Sequence, residues 1–102
     1  MMIIKQLSKQ IKEELHDAEK YAKGAHELRT EYPAISATYA KLAEEELDHA
    51  SMLHDAVVKQ IEKASAEKAV PPVMRELWAW QHTEMVEEEH EVRMLLDMLR
   101  RS

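Results

Sequence analysis

The chain has 102 residues, which suits one domain spanning residues 1–102 and leaves too little for two of ordinary size. The formal net charge is −6 with acidic and basic residues interleaved, so no basic stripe is available to bind nucleic acid. Because cysteine is absent, disulfides and thiol catalysis are excluded. The first residues lack the pattern of a secretion leader and no apolar run approaches about 18 residues, so we expect a cytoplasmic protein without a membrane span.

The composition favours long α-helices, because strong helix formers dominate and the chain has one Gly, three Pro and no Phe. Apolar residues recur in alternating steps of four and three, and prolines at 33 and 71–72 interrupt the pattern. We therefore predict an all-α fold with helices at residues 3–29, 33–64 and 71–101 and a connection at 65–70. Short connections make neighbouring helices antiparallel.

Each predicted inward-facing stripe is interrupted by polar residues near its middle. Glu14 interrupts the first stripe, Glu46 and His49 the second, and Glu89 the third, with His82 two positions earlier in that stripe. A stripe used only for packing would be apolar throughout. The stripes are Leu7, Ile11, Glu14, Ala18, Tyr21, Ala25 and Leu28; Ile35, Tyr39, Leu42, Glu46, His49, Leu53 and Ala56; and Trp78, His82, Met85, Glu89, Val92, Leu96 and Leu99.

These polar residues are predicted to lie at one level of the bundle. Glu14 and His49 are each about fifteen residues from the first connection, and a helix rises about 1.5 Å per residue. The same count across the second connection brings this layer close to Glu88 or Glu89. His82 instead falls near the level of His54, which lies about two helical turns from the layer of Glu14, Glu46 and His49.

Several inward-facing carboxylates at one level repel one another and are costly to bury without a partner. A cation removes both penalties, and carboxylate with imidazole suits iron or manganese. Glu46 and His49 can reach one metal because residues three apart share a helix face. The alternative is a metal-free network of buried hydrogen bonds that fixes the register of the helices.

The Glu-x-x-His spacing occurs three times, and helical phase separates the three pairs. Glu13/His16 and Glu87/His90 point away from their stripes, which predicts exposed pairs, although Glu87/His90 could be shared with another subunit. Only the pair at positions 46 and 49 lies within its stripe. His26 and His54 are predicted to lie on the surface or at the flank.

From about Leu7 to Ile61 the chain resembles the ferritin-like proteins, which include ferritins, rubrerythrins and encapsulated ferritins. The resemblance rests on Glu14 with Tyr21 seven residues later, followed by Glu46 and His49 in the run AEEELDHA. It implies a di-iron carboxylate centre that reacts with oxygen or peroxide and oxidises ferrous iron. We therefore expect two iron ions as the cofactor, with manganese or zinc as substitutes. The resemblance implies Glu14, Glu46 and His49 as ligands and Tyr21 beside them.

The chain departs from this family because it has three predicted helices where ferritins have four. Two copies of its first helical hairpin would complete a four-helix bundle, as encapsulated ferritins do across a dimer interface. We therefore expect a homodimer, or a multiple of dimers, with a shared centre. If Glu89 contributes a ligand within one chain, a mononuclear or lopsided site becomes the alternative, and His82 is a further candidate ligand. A metal buffer or cargo protein without turnover, and a metal-free helical interaction module, also stay open.

Overall fold

A computed structural model describes residues 2–67 and 71–101 of the chain. Within these ranges the chain forms three α-helices, α1 at Met2–Leu28, α2 at Pro33–Ala66 and α3 at Pro72–Arg101. The predicted all-helical architecture is confirmed, with α2 ending two residues later and α3 beginning one residue later than predicted. Of the predicted connection at 65–70, residues 68–70 lie outside the described residues. Within the described part of the chain, none of the helices has the length and apolar character to cross a membrane.

The connection between α1 and α2 is short and closed by hydrogen bonds. The backbone N–H of Tyr32 donates to the carbonyl of Leu28 at 2.9 Å, and Pro33 begins α2, where a missing N–H costs nothing. The hydroxyl of Ser36 then donates to the carbonyl of Ala25 at 2.6 Å and joins the two helix ends. This tight connection makes α1 and α2 antiparallel.

The third helix lies mainly against α1, and its backbone approaches that of α2 at only a few positions. It runs parallel to α1, since His26 Nε2 lies 2.6 Å from the carbonyl of Leu95 near the same end of both helices. It is antiparallel to α2, which it reaches through side chains such as the ion pair of Arg100 with Glu44. The resulting rod measures 55 × 17 × 17 Å.

On α2 the buried row lies one position after the predicted stripe. On α1, Ile11, Ala18 and Ala25 are buried as predicted, but the rest of the buried row is displaced by one position at the centre of the helix. Leu15 is buried where the prediction placed Glu14, and Leu47 and Ala50 are buried in place of Glu46 and His49. The prediction of core positions for Glu14, Tyr21, Glu46 and His49 is therefore wrong, because these residues flank the buried row. On α3 the predicted phase is confirmed. The buried residues there are Met85, Val92 and Leu96.

Gly24 allows α1 and α2 to approach closely. A Cβ atom at this position would lie 2.7 and 2.9 Å from two ring carbons of Tyr39, closer than van der Waals contact permits. The Tyr39 ring therefore lies against the α1 backbone, and it meets the ring of Tyr21 edge to face, with centroids 5.7 Å apart. This contact fixes the distance between the helices two turns from Glu14.

Candidate metal centre

The predicted ligands Glu14, Glu46 and His49 lie on the side of the α1–α2 pair that faces away from α3. On α1, Lys12 and His16 border α3, and at 100° per residue Glu14 points to the opposite side. On α2, Glu44 and Asp48 border α3, and Glu46 points away by the same geometry. We call this surface the open face. Its members are Leu7, Glu14, Tyr21, Leu42, Glu46, His49 and Leu53.

Three potential metal ligands meet at the centre of the open face. His49 Nδ1 lies 3.6 Å from Glu14 Oε2 and 3.9 Å from Glu46 Oε2. One ligand atom from each of the three residues lies within 4.8 Å of the other two. Within residues 2–67 and 71–101, this is the only such group of three or more histidine and acidic side chains. The predicted common level of these three residues is thus observed.

The group is partly open to solvent in the single chain. The side chains of Glu46, Glu14 and His49 are 19%, 29% and 55% exposed, so a cation held there would also face outward. The prediction that these side chains face inward is therefore met only in part, since Glu14 and Glu46 are half-buried and His49 is exposed.

The Glu14 carboxylate destabilises the negative charge of Glu46. A shared hydrogen bond with Glu14, followed by loss of water and repulsion from the same carboxylate, raises the pKa of Glu46 to about 7. His49 opposes this rise and Asp17 adds to it. A bound cation would favour the ionised form that the metal-free chain resists.

Half-buried apolar residues border the group along the helix axes in both directions. Leu7 and Leu53 pack against the core on one side, and Tyr21 packs against it on the other. Tyr21 lies about 10 Å along α1 from Glu14, with its ring against Tyr39. Its predicted place beside a metal stays a prediction.

The acidic residues of α3 lie apart from this group. Glu89 accepts a hydrogen bond from Arg93 Nε at 3.0 Å and lines a small cavity between α2 and α3. Glu88 is half-buried, and loss of water, with a hydrogen bond to Glu19, raises the pKa of its carboxyl group. Neither belongs to the three-residue group, so a ligand role for Glu89 stays a prediction without geometric support.

His82 meets His54 at the level that the sequence predicted, with Nε2 atoms 3.0 Å apart. The half-buried ring of His54 agrees with the predicted position on the surface or at the flank. Its contacts with His82 and Trp78 were not predicted. Helical phase alone missed the contact, since His54 falls outside the predicted stripe of α2. The near-equal heights of the two histidines were the available clue.

The other two Glu-x-x-His pairs, Glu13/His16 and Glu87/His90, are exposed, as their phase predicted.

No protein-family model, curated protein sequence or solved structure matches this chain.

Proposed function

We propose that the chain is a ferritin-like metal-binding protein in which two copies form a homodimer and share a two-iron centre that oxidises ferrous iron. The observation that carries the proposal is the convergence of Glu14, Glu46 and His49 from two helices onto one group of ligand atoms. The sequence resemblance described above points to the same residues.

The donor set suits iron. Two carboxylates with one imidazole match the preference of iron and manganese for oxygen and nitrogen ligands. Ligand atoms that share a metal at about 2.0–2.2 Å lie at most about 4.4 Å apart. The separations of 3.6 and 3.9 Å from His49 Nδ1 to the carboxylates fall within this limit. A cation would also offset the repulsion that raises the pKa of Glu46.

The composition of the open face supports the proposed dimer. One chain supplies three ligands, and a twofold axis through the open face would supply the same three again. Leu7, Leu53 and Tyr21 provide apolar surface on both sides of the group that a second copy would cover. Because acidic groups from both chains would then meet, the dimer requires a cation for its stability.

The residues of the chain have distinct tasks in this scheme. Glu14 and Glu46 hold positive charge as it increases on oxidation, and His49 completes the nitrogen side of the site. Each ferrous ion loses one electron, and dioxygen or hydrogen peroxide takes up these electrons with protons from solvent to give peroxide or water. In the single chain, the outward exposure of His49 leaves the group open to iron from the solvent before a second copy covers the open face.

Ferrous oxidation by the full chain tests the chemistry. We expect the wild type to oxidise several equivalents of ferrous iron in air, faster than a Glu46→Ala variant. Glu45→Ala is the matched control, because Glu45 is the exposed neighbour of Glu46. Equal rates for wild type and Glu46→Ala would reject the proposal. Stoichiometric binding without repeated oxidation would identify a metal buffer instead.

Sedimentation with and without metal tests the shared centre. We expect Leu53→Glu, on the open face, to reduce both dimer formation and iron oxidation. Met94→Glu is the control, since Met94 is 50% exposed on α3 and outside the open face. A wild-type chain that stays monomeric with metal bound would contradict the shared centre.

A further inference from the structure

A second set of metal-binding atoms lies between α2 and α3. His54 and His82 point their Nε2 atoms at each other across a distance of 3.0 Å. The backbones of these two helices hardly approach each other, so the pair joins α2 to α3 through side chains alone. Neither residue belongs to the Glu14, Glu46 and His49 group.

We propose that His54 and His82 form a separate binding site for a borderline divalent transition metal such as Zn(II), coordinated by both Nε2 atoms and bridging α2 to α3. This inference does not depend on the iron chemistry proposed above.

The distance between the nitrogen atoms fits this role. Zinc binds imidazole nitrogen at about 2.0–2.1 Å, which places two nitrogens on one tetrahedral ion about 3.3–3.4 Å apart. The observed 3.0 Å is a few tenths of an ångström shorter and matches a hydrogen bond between one protonated and one unprotonated Nε2. A small outward shift of the two rings would replace the shared proton by a metal ion.

The surroundings prepare His54 to be a ligand. The Asp55 carboxylate Oδ1 lies 3.6 Å from His54 Nδ1, too far for a hydrogen bond, and its negative charge on that side of the ring favours a proton on Nδ1 over one on Nε2. His82 then donates from Nε2 in the metal-free chain, and metal binding requires that this proton move to its Nδ1. The ring of Trp78 lies 5.9 and 5.6 Å from the rings of His54 and His82 and shields the pair on one side.

Space for the remaining ligands lies beside the pair. A cavity of about 130 Å³ is lined by His54, His82 and Glu89, with apolar residues from α1. Its volume exceeds the about 10–15 Å³ that one water molecule needs, so water can fill the open coordination positions. Two imidazoles with water suit zinc, copper or nickel, whereas calcium and magnesium prefer oxygen ligands throughout.

Zinc binding to the full chain tests the inference. The parent protein carries Glu46→Ala and His49→Ala, which remove the carboxylate-rich group and separate this test from the iron proposal. We expect it to bind one Zn(II) per chain in a calorimetric titration, and we expect His54→Gln or His82→Gln to weaken that binding at least tenfold. His90→Gln, at an exposed position on α3, serves as the matched control and leaves the binding unchanged.

A thermal measurement and a spectrum complete the test. Zinc should raise the melting temperature of the parent but not of the His54→Gln variant, because the metal joins two helices that otherwise contact each other little. If a histidine variant fails to fold, ¹⁵N spectra of the histidine side chains in the parent decide the matter. Zinc should shift Nε2 of both His54 and His82. Unchanged Nε2 signals, or undiminished zinc affinity in the variants, would overturn the proposal.

Discussion

His49 on α2 and Glu14 on α1 lie side by side on the open face, with Nδ1 of the histidine 3.6 Å from Oε2 of the carboxylate. The same Nδ1 atom lies 3.9 Å from Glu46, so one imidazole is shared between two carboxylates. This arrangement brings two carboxyl groups together beside one imidazole, which has consequences for stability and for metal binding.

We expect the stability of the protein without bound metal to depend on pH through the ionisation of Glu46. Its pKa is raised from 4.5 to about 7, so between these values the folded chain binds more protons than the unfolded chain. The free energy of unfolding therefore falls as pH rises from the unfolded pKa to the folded pKa of Glu46. Above the folded pKa, Glu46 causes no further loss of stability. Glu46→Gln lacks this pH-dependent loss. The difference in unfolding free energy between the variant and the wild type should therefore shift in favour of the variant as pH rises from 5 to 8.

Urea denaturation at both pH values, with chelator present, measures this difference. Glu45→Gln provides the control, since the exposed Glu45 lies next to Glu46 in sequence but outside the metal group. The interpretation fails if Glu46→Gln and wild type show the same change in unfolding free energy between the two pH values.

Metal affinity is expected to rise with pH over the same range. A cation must displace the proton from Glu46, whose pKa is about 7, so affinity should increase up to about tenfold per pH unit below this value and level off above it. Manganese(II) is a suitable probe because it is stable in air, and electron paramagnetic resonance reports its free concentration. A Glu46→Gln variant should bind more weakly, with a smaller slope. An identical slope in that variant would assign the displaced proton to another group.

We expect Gly24→Ala to destabilise the protein when the Tyr39 ring is present and to stabilise it when that ring is removed. Alanine favours a helix over glycine by about 1 kcal/mol. In the wild type, however, a new Cβ would lie 2.7 Å from the Tyr39 ring, so we expect Gly24→Ala to be destabilising. In a Tyr39→Ala background the same change should be stabilising. Thermal or urea unfolding of the four proteins gives the coupling, and additive effects would mean that the ring does not limit the approach of α1 to α2.

Removal of the Ser8 hydroxyl should stabilise the protein. Ser8 is 2% exposed, and its Oγ has no hydrogen-bond partner in the described part of the chain. A buried unpaired hydroxyl costs about 1–3 kcal/mol, and alanine is also the better helix former. Ser8→Ala is therefore expected to raise the free energy of unfolding by about 1 kcal/mol. Ser36→Ala is the contrasting variant, since the Ser36 hydroxyl bonds to Ala25 and its loss should be destabilising. A loss of stability in Ser8→Ala would show that this hydroxyl has a partner in solution.

The number and type of secondary-structure elements were predictable because they depend on local sequence. The repeat of apolar residues in steps of four and three identifies a helix without knowledge of its neighbours. Pro33 fixes the start of α2, and the similar distances of Glu14 and His49 from the first connection fix their common level. These features depend only on the order of residues along the chain, so counting residues from each connection is enough to predict them.

Only the tertiary structure decided how α1 and α2 are rotated and which helices touch, whereas the rotation of α3 followed from its sequence. Glu14 and Leu15 are neighbours on the helix surface, and a periodic pattern accommodates either row at the centre of the core. Burial of Leu15 and Leu47 selects the other row, which moves Glu14 and Glu46 to the open face. Likewise, α3 packs along α1 more than α2, which leaves His54 and His82 as a bridge. Both outcomes depend on which side-chain surfaces pack together, a property that the sequence does not determine one helix at a time.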